Sequence, residues 1–236
     1  MSDCGPAHRA VVVCDLDDTL YLERDYVLSG FKSLDVHISE KFGISDFSAA
    51  AWGLFLAGNR NDIFNRVLAA RDCQFNPADI LEMVRLYRHH VPQITLLPDV
   101  VQFLGQVAEN VALALVTDGP VAAQSAKIRA LGLQSRFAPI YMTDQWGISF
   151  RKPHPRAFHS IIQRYNRLQP AQFVYVADNP KKDFQAPHTL GWWTIRIRRQ
   201  MGLHFDVPSD HPAHIGREIS NFSEIMIENL SRSQCP

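Results

Sequence analysis

Asp15, Asp17 and Asp18 follow directly on an apolar run, Val11-Val12-Val13-Cys14. A short apolar run of this kind reads as a buried strand. Carboxylates crowded at its end are expensive to bury without partners, so the strand must open there into a polar site. Two carboxylates that close both stay ionised when a cation sits between them. The hard ion that suits a few oxygen ligands plus water is Mg²⁺. A carboxylate beside such an ion can also attack phosphorus covalently. Taken alone, the same residues equally describe a strand end and a helix cap, and only the rest of the chain separates the two readings.

Two further apolar runs end in the same way. Val111 to Val116 stops at Thr117-Asp118-Gly119, and Phe173 to Ala177 stops at Asp178-Asn179-Pro180, with Asp183 shortly after. Short apolar segments also fall at Pro139 to Met142 and Trp192 to Ile197, with a last one near Ile219. Helical spacing separates them, over Leu97 to Val107, Pro120 to Leu131, Pro153 to Tyr165 and Asp183 to Leu190, with a final helix expected at Glu224 to Leu230. Strands alternating with helices predict an α/β fold, a Rossmann-like, mainly parallel sheet with helices on both faces. Ligands of such sheets sit at the carboxyl ends of the strands, where all three polar signatures fall.

Residues 22–96 break the alternation. Val27, Phe31, Leu34, Ile38 and Phe42 are three and four positions apart, which predicts one amphipathic helix over 25–42, ended by Gly43. Phe47 to Phe55 and Ile63 to Arg71 predict two more helices, and Asn76-Pro77 reads as the N-cap and first turn of a fourth that runs to about His90. The chain therefore divides into 1–21 (core, first strand and nucleophile loop), an inserted all-helical 22–96, and 97–236 (core).

In chain order, Asp-Leu-Asp-Asp-Thr-Leu at 15–20, Val-Thr-Asp-Gly at 116–119, Arg-Lys-Pro-His-Pro at 151–155 and Ala-Asp-Asn-Pro-Lys-Lys-Asp at 177–183 resemble the four motifs of the haloacid dehalogenase-like hydrolase superfamily. The resemblance implies Asp15 as nucleophile, forming an aspartyl-phosphate. It implies Asp17 as acid and then base, its backbone carbonyl also a metal ligand. Thr117 would hold a phosphate oxygen, with the N–H groups around Asp118 and Gly119 near the same anion. Lys152 would place positive charge on the phosphate and Asp15. Asp178 would complete the Mg²⁺ site with Asp15 and Asp17, and Asp183 would hold a metal water or orient Lys152. Singly, Thr117, Asp118 and Asp183 describe helix caps and Lys152 a solvated charge; the order and number of the motifs favour catalysis. Ala177 departs from the family's more frequent glycine, and its methyl group would crowd the metal loop.

The helical insert falls where the family carries its C1 cap, and from Gly119 to Lys152 there is too little chain for a second cap. Hinges are expected near Tyr21–Arg24 and Thr95–Pro98. Arg60, in Gly58-Asn59-Arg60-Asn61, and Arg24 are the candidate substrate residues of the cap, each weighed against an ordinary surface position. His89-His90 reads as a surface helix end, Arg196 to Arg199 as a solvated edge, and Trp192-Trp193 as core plus interface.

Lys plus Arg and Asp plus Glu number 24 each, and 46% of residues are apolar. That balance carries no electrostatic footprint for nucleic acid or an anionic membrane. Cysteines at 4, 14, 73 and 235 lack metal-ligand spacing and point to a reduced, cytoplasmic protein. No apolar run has the length of a membrane span and residues 1–9 lack a signal-peptide core. The expected activity is Mg²⁺-dependent hydrolysis of a small phosphorylated metabolite, sugar phosphate or nucleotide, with the oligomeric state open. A sugar phosphomutase would use identical motifs. A dehalogenase of the family lacks the aspartate that stands here at 17. A phospho-receiver domain places its acidic pair before the phosphorylated aspartate and has no helical insert. A non-catalytic phosphate-binding protein would not need Asp15, Asp17, Lys152 and Asp178 together.

Overall fold

The computed structural model describes residues 8–225. Among these, β1 (Ala10–Cys14), β2 (Val111–Thr117), β3 (Ile140–Met142), β4 (Phe173–Ala177), β5 (Trp193–Ile197) and β6 (Arg217–Ile219) form one parallel sheet, ordered β3-β2-β1-β4-β5-β6. Between β1 and β2 run α1 (Glu23–Ser33), α2 (Asp35–Phe42), α3 (Phe47–Leu56), α4 (Ile63–Ala69), α5 (Pro77–His89) and α6 (Pro98–Gln106). Helix α7 (Val121–Ala130) precedes β3, α8 (Arg156–Arg164) precedes β4 and α9 (Gln185–Thr189) precedes β5.

Strand β1 is buried throughout, and alternate side chains of a strand face opposite ways. Val12 and Cys14 join an apolar cluster with Leu113, Leu115, Phe103 and Ile128, so α6 and α7 cover that face. Val11 and Val13 join a second cluster with Ala114, Val116, Phe158 and Ala186, under α8 and α9. A sheet buried on both faces needs unbroken apolar strands, which is why β1, β2 and β4 carry no interior charge. The chain steps from β1 to β2 and β3, then returns to lay β4 on the other side of β1, pairing Val13 with both Ala114 and Tyr175. The crevice beyond the ends of β1 and β4 is therefore the topological switch point.

Helices α1 to α5 enclose their own cluster around Phe31, Ile38, Phe47, Phe55 and Met83, and no strand lies within 22–96. The single helix expected over 25–42 is two. At Leu34 the N–H bonds to Phe31 O at 3.0 Å, the tighter i→i−3 pattern. Hydrophobic spacing cannot register this break, because Phe31, Leu34 and Ile38 all face the same cluster on both sides of it. The Asp35 carboxylate then accepts from Ser48 N at 2.8 Å and Ser48 Oγ at 2.7 Å, fastening α2 to the first turn of α3. Gly43 ends α2 at φ +70°, where a side chain would be strained. The Asn76 cap is confirmed: its side chain accepts from Ala78 N at 2.8 Å, and Asp79 accepts from Asn76 N at 2.8 Å.

His90 is buried rather than at a surface helix end, its Nε2 3.1 Å from Ser29 Oγ, between α5 and α1. Trp192 stacks on Phe173 with centroids 4.7 Å apart, while Trp193 is 45% exposed. Of the helix expected at Glu224 to Leu230, Glu224 ends a 3₁₀ turn that begins at Phe222, and 226–230 lie outside the described residues. So do Cys4 and Cys235; Cys14 and Cys73 are free thiols. No helix among the described residues is long and apolar enough to cross a membrane.

Candidate active site

Asp15 extends the β1 ladder by one residue, its N–H bonding Val176 O at 2.9 Å. The chain then turns: Leu20 N bonds Leu16 O at 3.0 Å, and Asp18 sits at φ +51°, a conformation that aspartate tolerates better than most residues. The turn sends the first two carboxylates to different neighbours. Asp15 Oδ1 meets Lys152 Nζ at 2.6 Å. Asp17 turns instead to α7, where Lys127 Nζ lies 2.6 Å from Oδ1 and Gln124 Nε2 2.9 Å from Oδ2, with the Tyr21 hydroxyl also donating to Oδ1. Asp18 accepts Glu23 N at 2.8 Å and Leu203 N at 2.7 Å, pinning the start of α1 and the 200–207 loop to the turn.

Lys152 is wholly enclosed, paired also with Asp183 at 2.8 Å and with Tyr175 OH at 3.1 Å. Asp183 accepts in addition from Asn179 N at 2.9 Å. Its carboxylate therefore orients Lys152 and the loop after β4. Thr117 is fully buried at the end of β2, and its Oγ1 accepts from Gln124. Gly119 has φ +128°, which only glycine adopts without strain. The Asp118 side chain accepts from Thr143 Oγ1 at 2.8 Å, Lys152 N at 3.1 Å and Lys182 Nζ at 2.7 Å. It fastens the end of β2 to the segment bearing Lys152, a role for its carboxylate that the motif does not reveal.

The charges are unevenly compensated. Burial pushes Asp15 up to about 8, against the pull of Lys152 and with help from Asp183 and Asp178. Burial also raises Asp178, although His204 Nδ1 donates to it at 2.8 Å. Burial opposes the charge of Asp17 as well, but Lys127, Tyr21 and Gln124 overcome it and hold that carboxyl below its usual range. Asp118 behaves likewise: Lys152 and Lys182 outweigh its burial and bring it to about 2. Burial thus disfavours the charged form at Asp15 and Asp178, as it does at Asp18, raised to about 7, and at Glu23. Oxygens of Asp15, Asp178 and Asp183 all fall within 4.8 Å of one another. Such an all-oxygen buried set fits a hard divalent cation such as Mg²⁺. Asp18, Asp178 and His204 form a second set within the same distance, sharing Asp178.

Ala177 ends β4, and its side chain belongs to the apolar cluster of Val13 and Phe184. The methyl group is thus accommodated by the core. The basic run Arg196 to Arg199, which begins inside β5, is not simply a solvated edge. Arg199 is buried, donating to Thr19 O at 2.8 Å and Asp99 at 2.7 Å, and Arg196 is buried, donating to His204 O at 2.9 Å and Val207 O at 2.7 Å. Both hold backbone around the site, which a count of basic residues does not disclose.

Arg24 and Arg60 stand apart from the carboxylates. Arg60 donates to Phe55 O at 2.6 Å and Asn59 O at 2.9 Å and lies 4.2 Å over the Phe55 ring. Arg24 lies 5.2 Å over the Trp52 ring. Both border a cleft of about 290 Å³, and Arg60 also borders a cavity of about 600 Å³ among Glu23, Phe31, Tyr87 and Leu203. Sequence reasoning passed over Tyr21, Gln124, Lys127, Lys182 and His204. For Gln124 and Lys127 a signal existed: they adjoin Ala123 and Ile128, the positions that α7 turns to the core.

The doubly wound sheet thus sets Asp15 and Asp178 at two neighbouring strand ends, with Lys152 paired to Asp15 and Thr117 at the end of the next strand. The family model described as haloacid dehalogenase-like hydrolase matches residues 12–197, and the chain belongs to that family. It is 26% identical over 236 residues to a glyceraldehyde 3-phosphate phosphatase of Methanocaldococcus jannaschii, covering 94% of this chain and 98% of that one. A phosphoserine phosphatase of Thermus thermophilus is 27% identical over 137 residues, 58% of this chain and 53% of that protein. The fold resembles magnesium-bound YfnB, a HAD hydrolase of Bacillus subtilis, at TM-score 0.65 and 18% identity, covering 92% of this chain and 96% of that one. It also resembles a subfamily IA HAD hydrolase of Geobacter sulfurreducens, at TM-score 0.65 and 16% identity, covering 98% and 100%.

Proposed function

We propose that this protein is a phosphoric monoester hydrolase acting on a small phosphorylated metabolite through an aspartyl-phosphate on Asp15. The observation that carries this reading is the Asp15–Lys152 pair at 2.6 Å, set beside Asp178 and Asp183 at the switch point of the sheet. Phosphatase relatives support it.

In the first half-reaction an Asp15 oxygen bonds to phosphorus as the ester P–O bond breaks, and Asp17 passes a proton to the departing oxygen. Asp17 is held ionised in the resting site. The proton it passes on is therefore one delivered with the phosphomonoester, whose second ionisation lies near pH 6. In the second half Asp17 takes a proton from water as the water oxygen bonds to phosphorus and the Asp15–P bond breaks. Thr117 and the N–H groups around Gly119 hold the phosphoryl oxygens, and Lys152 neutralises charge that grows on them. Asp15, Asp178 and the Asp17 carbonyl would hold Mg²⁺, which supplies Lewis-acid neutralisation of phosphate charge when bound. Phosphate released in ¹⁸O-labelled water should carry the label; return of the phosphoryl group to a sugar, with unlabelled product, would make the protein a mutase instead.

Residues 22–96 act as a cap on a core made of 1–21 and 97–236, with the hinges at Tyr21–Arg24 and Thr95–Pro98. The cap shields the first half-reaction from bulk water and receives the leaving group. The cavity beside Glu23 and Leu203 favours that role, since Asp18 ties both residues to the nucleophile turn. Arg60→Ala should change the preference among metabolite phosphates and leave a small aryl phosphate nearly untouched. An equal loss on every substrate would place Arg60 in folding, through its bonds to the end of α3.

Activity should vanish with a chelator and return with Mg²⁺. Ca²⁺ should restore it poorly, because its larger, looser shell misplaces the nucleophile. Full turnover in metal-free buffer would remove the cation from this account.

A further inference from the structure

Lys127 is 4% exposed, on a helix that the four motifs do not include. Burying an ammonium costs several kcal/mol unless it is well paired, and among the described residues its one ion partner is Asp17, at 2.6 Å. The ammonium also lies 4.2 Å over the ring of Tyr26 on α1. Gln124, three positions earlier and so on the same helix face, extends one amide nitrogen to three acceptors. These are Asp17 Oδ2 at 2.9 Å, Asp118 O at 3.0 Å and the Thr117 hydroxyl oxygen. One side chain thus links the candidate acid–base group to the candidate phosphate grip, while Lys127 and Tyr21 hold the other Asp17 oxygen. Both oxygens of the carboxyl are located by donors, and two of the three donors come from α7.

We propose that Lys127, with Gln124 beside it, is a positioning residue that fixes the Asp17 carboxyl relative to the bound phosphoryl group for both proton transfers. The inference rests on the acid–base role given to Asp17 above. Lys127 exchanges no proton in the cycle. It keeps one Asp17 oxygen in place, so that the other faces the ester oxygen in the first half and water in the second. Proton transfer needs that placement to within a fraction of an ångström, whereas a clamp that merely joins α7 to the turn does not.

A residue acting through the proton donor matters most where the leaving group most needs a proton. The test compares kcat/KM for an alkyl phosphate and for 4-nitrophenyl phosphate in Lys127→Met, Lys127→Arg, Asp17→Asn and the Asp17→Asn/Lys127→Met pair. Lys127→Met should lose about tenfold or more on the alkyl ester, a part of the roughly 10²–10⁴-fold typical of acid–base catalysis. On the nitrophenyl ester it should lose less than about threefold, and Lys127→Arg should recover most of the alkyl activity. In the Asp17→Asn background, adding Lys127→Met should change either rate by less than about threefold, because the two side chains act as one unit. The proposal is overturned if Lys127→Met slows both esters equally and the double variant shows the full product of the single losses. If Lys127→Met is too unstable to assay, Lys127→Gln carries the same comparison of esters, with the same outcomes deciding. Should Asp17→Asn itself leave both esters unaffected, the acid–base role of Asp17 fails, a result distinct from failure of the Lys127 role alone.

Discussion

Asp15→Asn should abolish turnover, and no phosphorylated protein should form with any substrate. The amide keeps the size of the side chain and its place at the end of β1, but has no anionic oxygen to attack phosphorus. The expected loss is complete within the limit of the assay, and intact-mass measurement after mixing with substrate should show no added phosphoryl group. The same substitution should also change how stability depends on pH. Burial pushes Asp15 up to about 8, against an ordinary value of 3.8. The folded protein therefore binds a proton that the unfolded chain has released between those values, and metal-free stability from this group falls as pH rises through that window. Asp15→Asn removes this dependence. In metal-free buffer the thermal midpoint of the variant should therefore gain on that of the unaltered protein as pH rises from about 4 to 8. Added Mg²⁺ should raise the midpoint of the unaltered protein by linkage and that of the variant much less. Normal activity in Asp15→Asn would end the aspartyl-phosphate account.

Lys152→Met carries the second largest effect, on stability and rate together. Lys152 has no side-chain exposure and stands between Asp15 at 2.6 Å and Asp183 at 2.8 Å. Methionine fills similar space and leaves two buried carboxylates facing one another. Removing one partner of a buried ion pair typically costs about 3–5 kcal/mol, which denaturant unfolding would report. Loss of the cation that meets the transferring phosphoryl group should lower kcat by at least about 10²-fold, the scale seen when one preorganised electrostatic contact is removed. Asp183→Asn added to Lys152→Met should recover part of the stability, since one orphaned charge disappears, and none of the rate. A variant that keeps its rate within a few-fold while losing stability would assign Lys152 to architecture only.

The two variants separate charges that the fold treats differently. Asp17 and Asp118 have their own lysines, Lys127 and Lys182, and are held in the ionised form. Asp15 and Asp178 are pushed up by burial. Their partners, Lys152 and His204, do not outweigh that burial, which is consistent with a cation completing the cluster of Asp15, Asp178 and Asp183.

The sequence by itself determined the sheet and the line of residues along its carboxyl edge. Apolar runs that stop at Asp15, Thr117 and Asp178, alternating with helical spacing, point to one arrangement: their interiors need helices on both faces and their ends need a polar crevice. The helical insert was legible for the same reason, since three- and four-residue spacing describes a buried face wherever that face points. Tertiary structure alone decided which charges meet. That Asp17 pairs with Lys127, that Asp118 fastens the Lys152 segment, and that Arg196 and Arg199 are buried all depend on side chains brought together across more than a hundred positions or from turns without periodicity. Periodicity records which face of an element is apolar and carries no information about the partner a polar group will find. The break at Leu34 escaped notice for the related reason that both halves turn the same kind of residue toward the same cluster.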